Sequence, residues 1–206
     1  MDKLNKKVYK RYIWIITIIL AIIITGIVVG KSQKEKNYQR KITKTYEDML
    51  GLGADSEKIV NNYISLWDGK INFTTKDWTR DYMARWIGID VNNFKSNTTP
   101  FTFRDEALNF NDVLKCYKEY NINTGVNKNL VDRIKQAEID ITELNNPPNK
   151  FKKSYEALVN MYTNLNTYVN LAINPSGSLI SYKNETSNLS NNIINQYNIV
   201  KTQMPN

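Results

Sequence analysis

Trp67, Trp78 and Trp86, interleaved with Tyr63 and Tyr82, concentrate aromatic surface in one short stretch of the chain. Flat rings can stack on sugar rings or grip a protein, and Trp and Tyr are enriched at binding hot spots. The same residues also fall at core spacing on amphipathic helices, where aromatic rings bury well. Trp67, Trp78, Tyr82 and Trp86 thus form a candidate binding surface, with burial in the core as the competing assignment.

Carboxylates occur as Asp105-Glu106 and as the set Glu138, Asp140 and Glu143. Glycosidase-like chemistry needs two carboxylates across a cleft at a defined separation. Adjacent acids on a helix point in different directions, so these sets read as solvated faces. No DxDxDG-type calcium loop is present. Gly51-Leu52-Gly53 lacks the third glycine, the lysine and the preceding strand of a phosphate loop and reads as a hinge or helix end. The chain has no histidine, which removes imidazole acid–base chemistry, His-based triads and His-ligated metals. Cys116, the single cysteine, can form neither an internal disulfide nor a cysteine-based zinc site. In the setting Val-Leu-Lys-Cys-Tyr it reads as a buried inert thiol, an intermolecular disulfide being the alternative. The sequence therefore predicts no enzyme, no cofactor and no metal site.

The formal net charge of +8 invites a nucleic-acid assignment, but the location of the charge argues against one. Residues 1–44 hold eleven Lys and Arg against Asp2 and Glu35, whereas the remainder holds 17 basic and 18 acidic residues. A nucleic-acid footprint requires a basic stripe on the folded domain. Abundant Asn beside Ile, Lys and Tyr is the compositional style of low-GC Gram-positive bacteria. Within so much Asn, the sequons at Asn72, Asn97, Asn184 and Asn188 are chance matches.

Helices must position these residues. Tyr38, Ile42, Tyr46 and Met49 recur at helical spacing, and a break is expected at Gly51-Leu52-Gly53. Asp55 then caps a helix to about Trp67, with Asp68-Gly69 ending it. Thr74 with Asp77 and Thr102 with Asp105 resemble capping boxes. The first precedes Trp78, Tyr82, Trp86 and Ile89; the second precedes Ala107, Phe110, Leu114 and Tyr117. Asn92 to Pro100 reads as a loop, and Asn121 to Lys128 as a break.

Farther along, Leu130, Ile134, Ala137, Ile141 and Leu144 keep a 4-3-4-3 rhythm. It resumes at Phe151, Tyr155, Leu158, Tyr162, Leu165, Val169 and Ala172. A third stripe follows at Leu179, Tyr182, Thr186, Leu189, Ile193 and Val200, with Ser176 or Ser178 as its cap. Connections of about five residues between three such helices require antiparallel packing. The prediction is an antiparallel three-helix bundle over 129–201.

At the other end, Tyr12 to Gly30 carries no charge. The 18 residues from Ile13 to Gly30 give roughly 27 Å of helix at about 1.5 Å each, close to a hydrocarbon core of about 30 Å. Tyr12 and Trp14 sit where interfacial aromatics belong. A cleaved signal peptide has a shorter apolar region ending in a small-x-small site, so the run favours a retained anchor. Lys7, Lys10 and Arg11 flank it on one side, and Lys31, Lys34, Lys36, Arg40 and Lys41 on the other. Orientation follows from length, because a long C-terminal domain is translocated largely regardless of its charge.

The expected fold class is all-α. A short basic cytoplasmic tail (1–11) precedes a transmembrane helix (12–30), a basic helical stalk (31–54) and a helical extracytoplasmic domain (55–206). The expected partners are the lipid bilayer and either another envelope protein or a second copy of the chain, with no nucleic acid. The function expected first is a non-enzymatic interaction or structural component of the cell envelope. The alternative is a module binding cell-wall glycan or anionic polymer through the Trp67/Trp78/Trp86 cluster and the basic stalk.

Overall fold

The computed structural model describes residues 2–72, 78–98 and 110–205. For 2–29 and Phe110 it describes the backbone alone. Among the described residues the protein is all-helical, without strands. Its helices are α1 (Asp2–Asn72), α2 (Arg80–Trp86), α3 (Val91–Ser96), α4 (Phe110–Asn123), α5 (Val126–Glu143), α6 (Lys152–Ile173) and α7 (Leu179–Thr202), with a 3-10 turn at Asn149–Phe151. The chain divides into two compact units, 1–42 and 43–206.

In the first unit, Lys31, Lys34, Lys36, Arg40 and Lys41 are exposed. The apolar run from Tyr12 to Val29, with the side chains of Lys7, Lys10 and Arg11, lies outside the residues whose side chains are described. Among the described residues no helix is long and apolar enough to cross a membrane.

The second unit begins inside the stretch expected as stalk, because Thr45, Tyr46, Met49 and Leu52 are buried. The helix break expected at Gly51-Leu52-Gly53 is absent, and α1 runs through it. Each helical glycine costs about 1 kcal/mol relative to alanine, but tertiary packing supplies most helical stability in proteins. Here the missing side chains admit neighbours. A Cβ on Gly53 would stand 3.7 Å from Leu165 Cδ1, and one on Gly51 would stand 3.4 Å from an Arg133 guanidinium nitrogen. Asp55, expected as a cap, is instead ion-paired with Arg133 on α5.

Gly69 does not end the helix either. A Cβ there would lie 2.6 Å from Trp78 Cη2 and 3.0 Å from two Trp86 ring carbons, so only glycine lets these indoles close on α1.

Most positions of the three stripes read from the sequence are buried along α5, α6 and α7, while Tyr155, Tyr162, Leu179 and Leu189 are half-buried. Leu130, Ile134, Ala137, Ile141 and Leu144 are buried on the first, and Phe151, Leu158, Leu165, Val169 and Ala172 on the second. Tyr182, Thr186, Ile193 and Val200 are buried on the third. The α6–α7 contact is more extensive than the α5–α6 contact. Residues 43–72 of α1 add a fourth helix to this bundle. Tyr46 meets Tyr197 edge-on at 5.6 Å, and Trp67 meets Tyr182 at 5.9 Å. These pairs fix α1 and α7 as antiparallel. Ser178 caps α7 in a reciprocal box, its hydroxyl accepting from the Ser181 amide while the Ser181 hydroxyl accepts from the Ser178 amide.

Two short helices lie among the described residues between α1 and α4. Thr79 Oγ accepts from the Tyr82 amide and starts α2. Asp90 does the same for the Asn93 amide at 2.8 Å and starts α3. That helix occupies a stretch expected as loop, because a capping carboxylate and the buried ring of Phe94 outweigh its polar composition. The capping boxes proposed at Thr74 and Thr102 lie outside the described residues.

Candidate functional site

The tryptophan cluster resolves into two separate environments. Trp67 is 6% exposed and faces Tyr182 within the bundle. Trp78 is fully buried, edge-on to Tyr82 at 5.1 Å and to Trp86 at 5.7 Å. Trp86 is 37% exposed. Its indole nitrogen donates to the Ser65 carbonyl at 3.1 Å, and its ring lies 5.8 Å from the half-buried Tyr82. Of the four candidate surface residues, two are core. Trp86 and part of Tyr82 face solvent.

Among the described residues, the acidic set on α5 does not converge on a site. Glu138 and Glu143 are exposed on α5, Asp140 accepts from Gln136 at 2.8 Å, and Asp105 and Glu106 lie outside the described residues. Among the described residues no group of three or more His, Cys, Asp or Glu could hold a metal ion. Cys116 is fully buried, and burial pushes its thiol up to about 12. A thiol held protonated is a poor nucleophile.

A groove of about 570 Å³ lies where α1, the turn after α2, the end of α4 and the start of α5 converge. Two glycines shape its rim. Gly88 (φ 69°) lets the chain reverse after α2, where the Ile89 amide donates to the Ala84 carbonyl at 2.8 Å. Gly125 (φ 76°) does the same between α4 and α5, so these helices meet after only two residues. Both are left-handed conformations that glycine adopts without strain.

The lining alternates rings, amides and aliphatic groups. Tyr117 and Tyr120 stack at 6.3 Å with planes 13° apart, and Tyr120 stacks on Phe94 at 5.1 Å. Asn62 Nδ2 donates to the Tyr117 hydroxyl at 2.8 Å, fixing it across the groove. Burial raises the Tyr117 phenol, partly offset by that amide, so the hydroxyl remains a neutral donor. Asn121 also lines the groove and is 1% exposed; its buried amide nitrogen makes no hydrogen bond of ordinary geometry, although it lies near enough to the Tyr63 and Tyr117 hydroxyls to favour their ionised forms. The Tyr63 hydroxyl, whose ring meets Tyr117 edge-on at 4.8 Å, is likewise buried without a hydrogen bond of ordinary geometry. Each such group forfeits about 1–3 kcal/mol. Lys58 and Asp55 are the charged lining residues, of opposite sign.

This groove escaped the sequence reading, although one signal existed. Asn121 continues the Phe110, Leu114, Tyr117 stripe by four residues, placing an amide where the seam calls for an apolar side chain.

The groove is therefore the described feature best built to hold a ligand, and the Trp86 ledge is the second. No protein-family model matches the chain, no curated protein is similar to it and no solved structure matches it, so the site must be interpreted from its own geometry.

Proposed function

We propose that the chain is a single-pass membrane protein of the bacterial cell envelope, with its N-terminus in the cytoplasm and its helical unit outside. It acts by contact with another envelope protein or a second copy of itself rather than by catalysis. The observation that carries this reading is the uncharged run from Tyr12 to Gly30, long enough to span and flanked by cations on both sides. The run falls wholly within α1, which supports it, because a span must satisfy its own backbone hydrogen bonds. Flanking cations near an anionic leaflet contribute about 1 kcal/mol each.

Membrane fractionation with an alkaline wash, followed by mass spectrometry, tests the reading. The full-length chain should stay in the pellet until detergent is added. Full-length chain free in buffer, or a mature form beginning just after Gly30, would contradict it.

A second reading, binding of cell-wall glycan or anionic polymer through the tryptophan cluster and the basic stalk, draws support from the exposure of Trp86 beside Tyr82. Trp86→Ala should then abolish sedimentation with purified wall material. If salt alone abolishes it, the interaction is charge on residues 31–44.

A further inference from the structure

We propose that the groove between α1, α4 and α5 binds an uncharged sugar of one or two rings. The proposal is independent of the membrane tether and gives the glycan a seat other than Trp86. A pyranose presents hydroxyls that each donate and accept, together with apolar C–H faces, and the groove supplies matching groups of both kinds.

Asn62, Asn121 and Asn129 offer amides that donate and accept, and Tyr120 presents a half-buried ring stacked on the buried Tyr117. Ile87, Ile89 and Val126 supply half-buried aliphatic surface. The volume of about 570 Å³ falls within the span of small-molecule pockets, about 300–1,000 Å³. Asn121 contributes the most specific feature, a buried amide nitrogen that makes no hydrogen bond of ordinary geometry.

The competing ligand classes fit less well. A phosphate-bearing ligand needs clustered cations, but among the described residues Lys58 is the one cation in the lining, and Arg133 beside the lining is already paired with Asp55. An extended peptide commonly adds to a sheet edge, and a helical one needs a continuous apolar groove. These walls are helical and interrupted by amides.

The test uses the full-length chain in a polyoxyethylene detergent, since sugar-headed detergents would compete. Glucose, cellobiose and N,N′-diacetylchitobiose are titrated, and binding is followed by saturation-transfer NMR. At least one should bind saturably and without salt dependence. Asn121→Leu should weaken that binding at least tenfold without lowering the thermal midpoint, because it removes an amide nitrogen that makes no hydrogen bond of ordinary geometry. Should that variant fold poorly, Asn129→Trp decides: Asn129 is exposed on the rim, so an indole there fills the groove while leaving the core untouched. It should also weaken binding at least tenfold, whereas Trp86→Ala should change it less than twofold. Absence of saturable binding, unchanged affinity in Asn129→Trp, or loss of binding in Trp86→Ala would each overturn the proposal.

Discussion

The α6–α7 hairpin and the segment from Trp78 to Thr98 bury themselves by different means. The hairpin uses two long helices whose aliphatic and tyrosine seams repeat every three or four residues, so that many modest contacts share the load. The other segment has helices of seven and six residues, too short for a seam. It relies on single rings, Trp78 and Phe94, and on side chains that tie loops together. Arg80 donates to the Thr98 carbonyl at 3.0 Å, and Asn123 Nδ2 to the Asn97 carbonyl at 2.9 Å. The lesson is one of concentration. Regular seams spread stability, whereas short helices place it in few residues.

Substitutions can break this comparison. The largest effect should come from Trp78→Ala, with a loss of about 3–5 kcal/mol in denaturant titration. Trp86→Ala should cost clearly less, because its ring is partly in water. Equal losses would mean that Trp78 is not the anchor of its segment. Next, Leu158→Ala on α6 should lose about 2–5 kcal/mol, while leaving the fluorescence of the Trp78–Trp86 pair unchanged in the native state.

Gly69→Ala sharpens the point further. Alanine would ordinarily raise helix stability by about 1 kcal/mol, but here its methyl would meet two indoles. A net loss of about 1–3 kcal/mol, typical of overpacking, is expected. A gain in melting temperature would show that the indoles do not close on α1.

Raised pH supplies a further test. Burial raises Cys116 from its ordinary value near 9 to about 12, so the folded thiol keeps a proton that the unfolded chain releases. That contribution is complete below pH 9 and lost as pH climbs toward 12. The buried phenols of Tyr63 and Tyr182, also raised by burial, act in the same direction. Stability flat across pH 9–12 would contradict this assignment.

The same contrast governs how much of the fold was legible. The α5–α7 stripes follow from spacing alone, and most seam positions they predict are buried, with Tyr155, Tyr162, Leu179 and Leu189 half-buried. The continuity of α1 was hidden, because Gly51, Gly53 and Gly69 signal a helix end unless the partners filling their empty Cβ positions are known. Helix α3 was hidden by its asparagines, although Asp90 was a visible cap. The tryptophans were found but could not be sorted, since spacing places Trp78 and Trp86 on one face and only packing separates them. The groove was least legible: its lining comes from three distant stretches, with Asn121 as its single local sign.

Topology tests the central claim, that the unit beyond Gly30 is tethered outside the cytoplasm. Cys116 is buried and its thiol held protonated, so it gives a silent background for maleimide labelling. A cysteine introduced by Ser32→Cys, at an exposed position just past the apolar run, becomes the reporter. Labelling by a membrane-impermeant maleimide on intact cells is the predicted result. Labelling only after permeabilisation would contradict it.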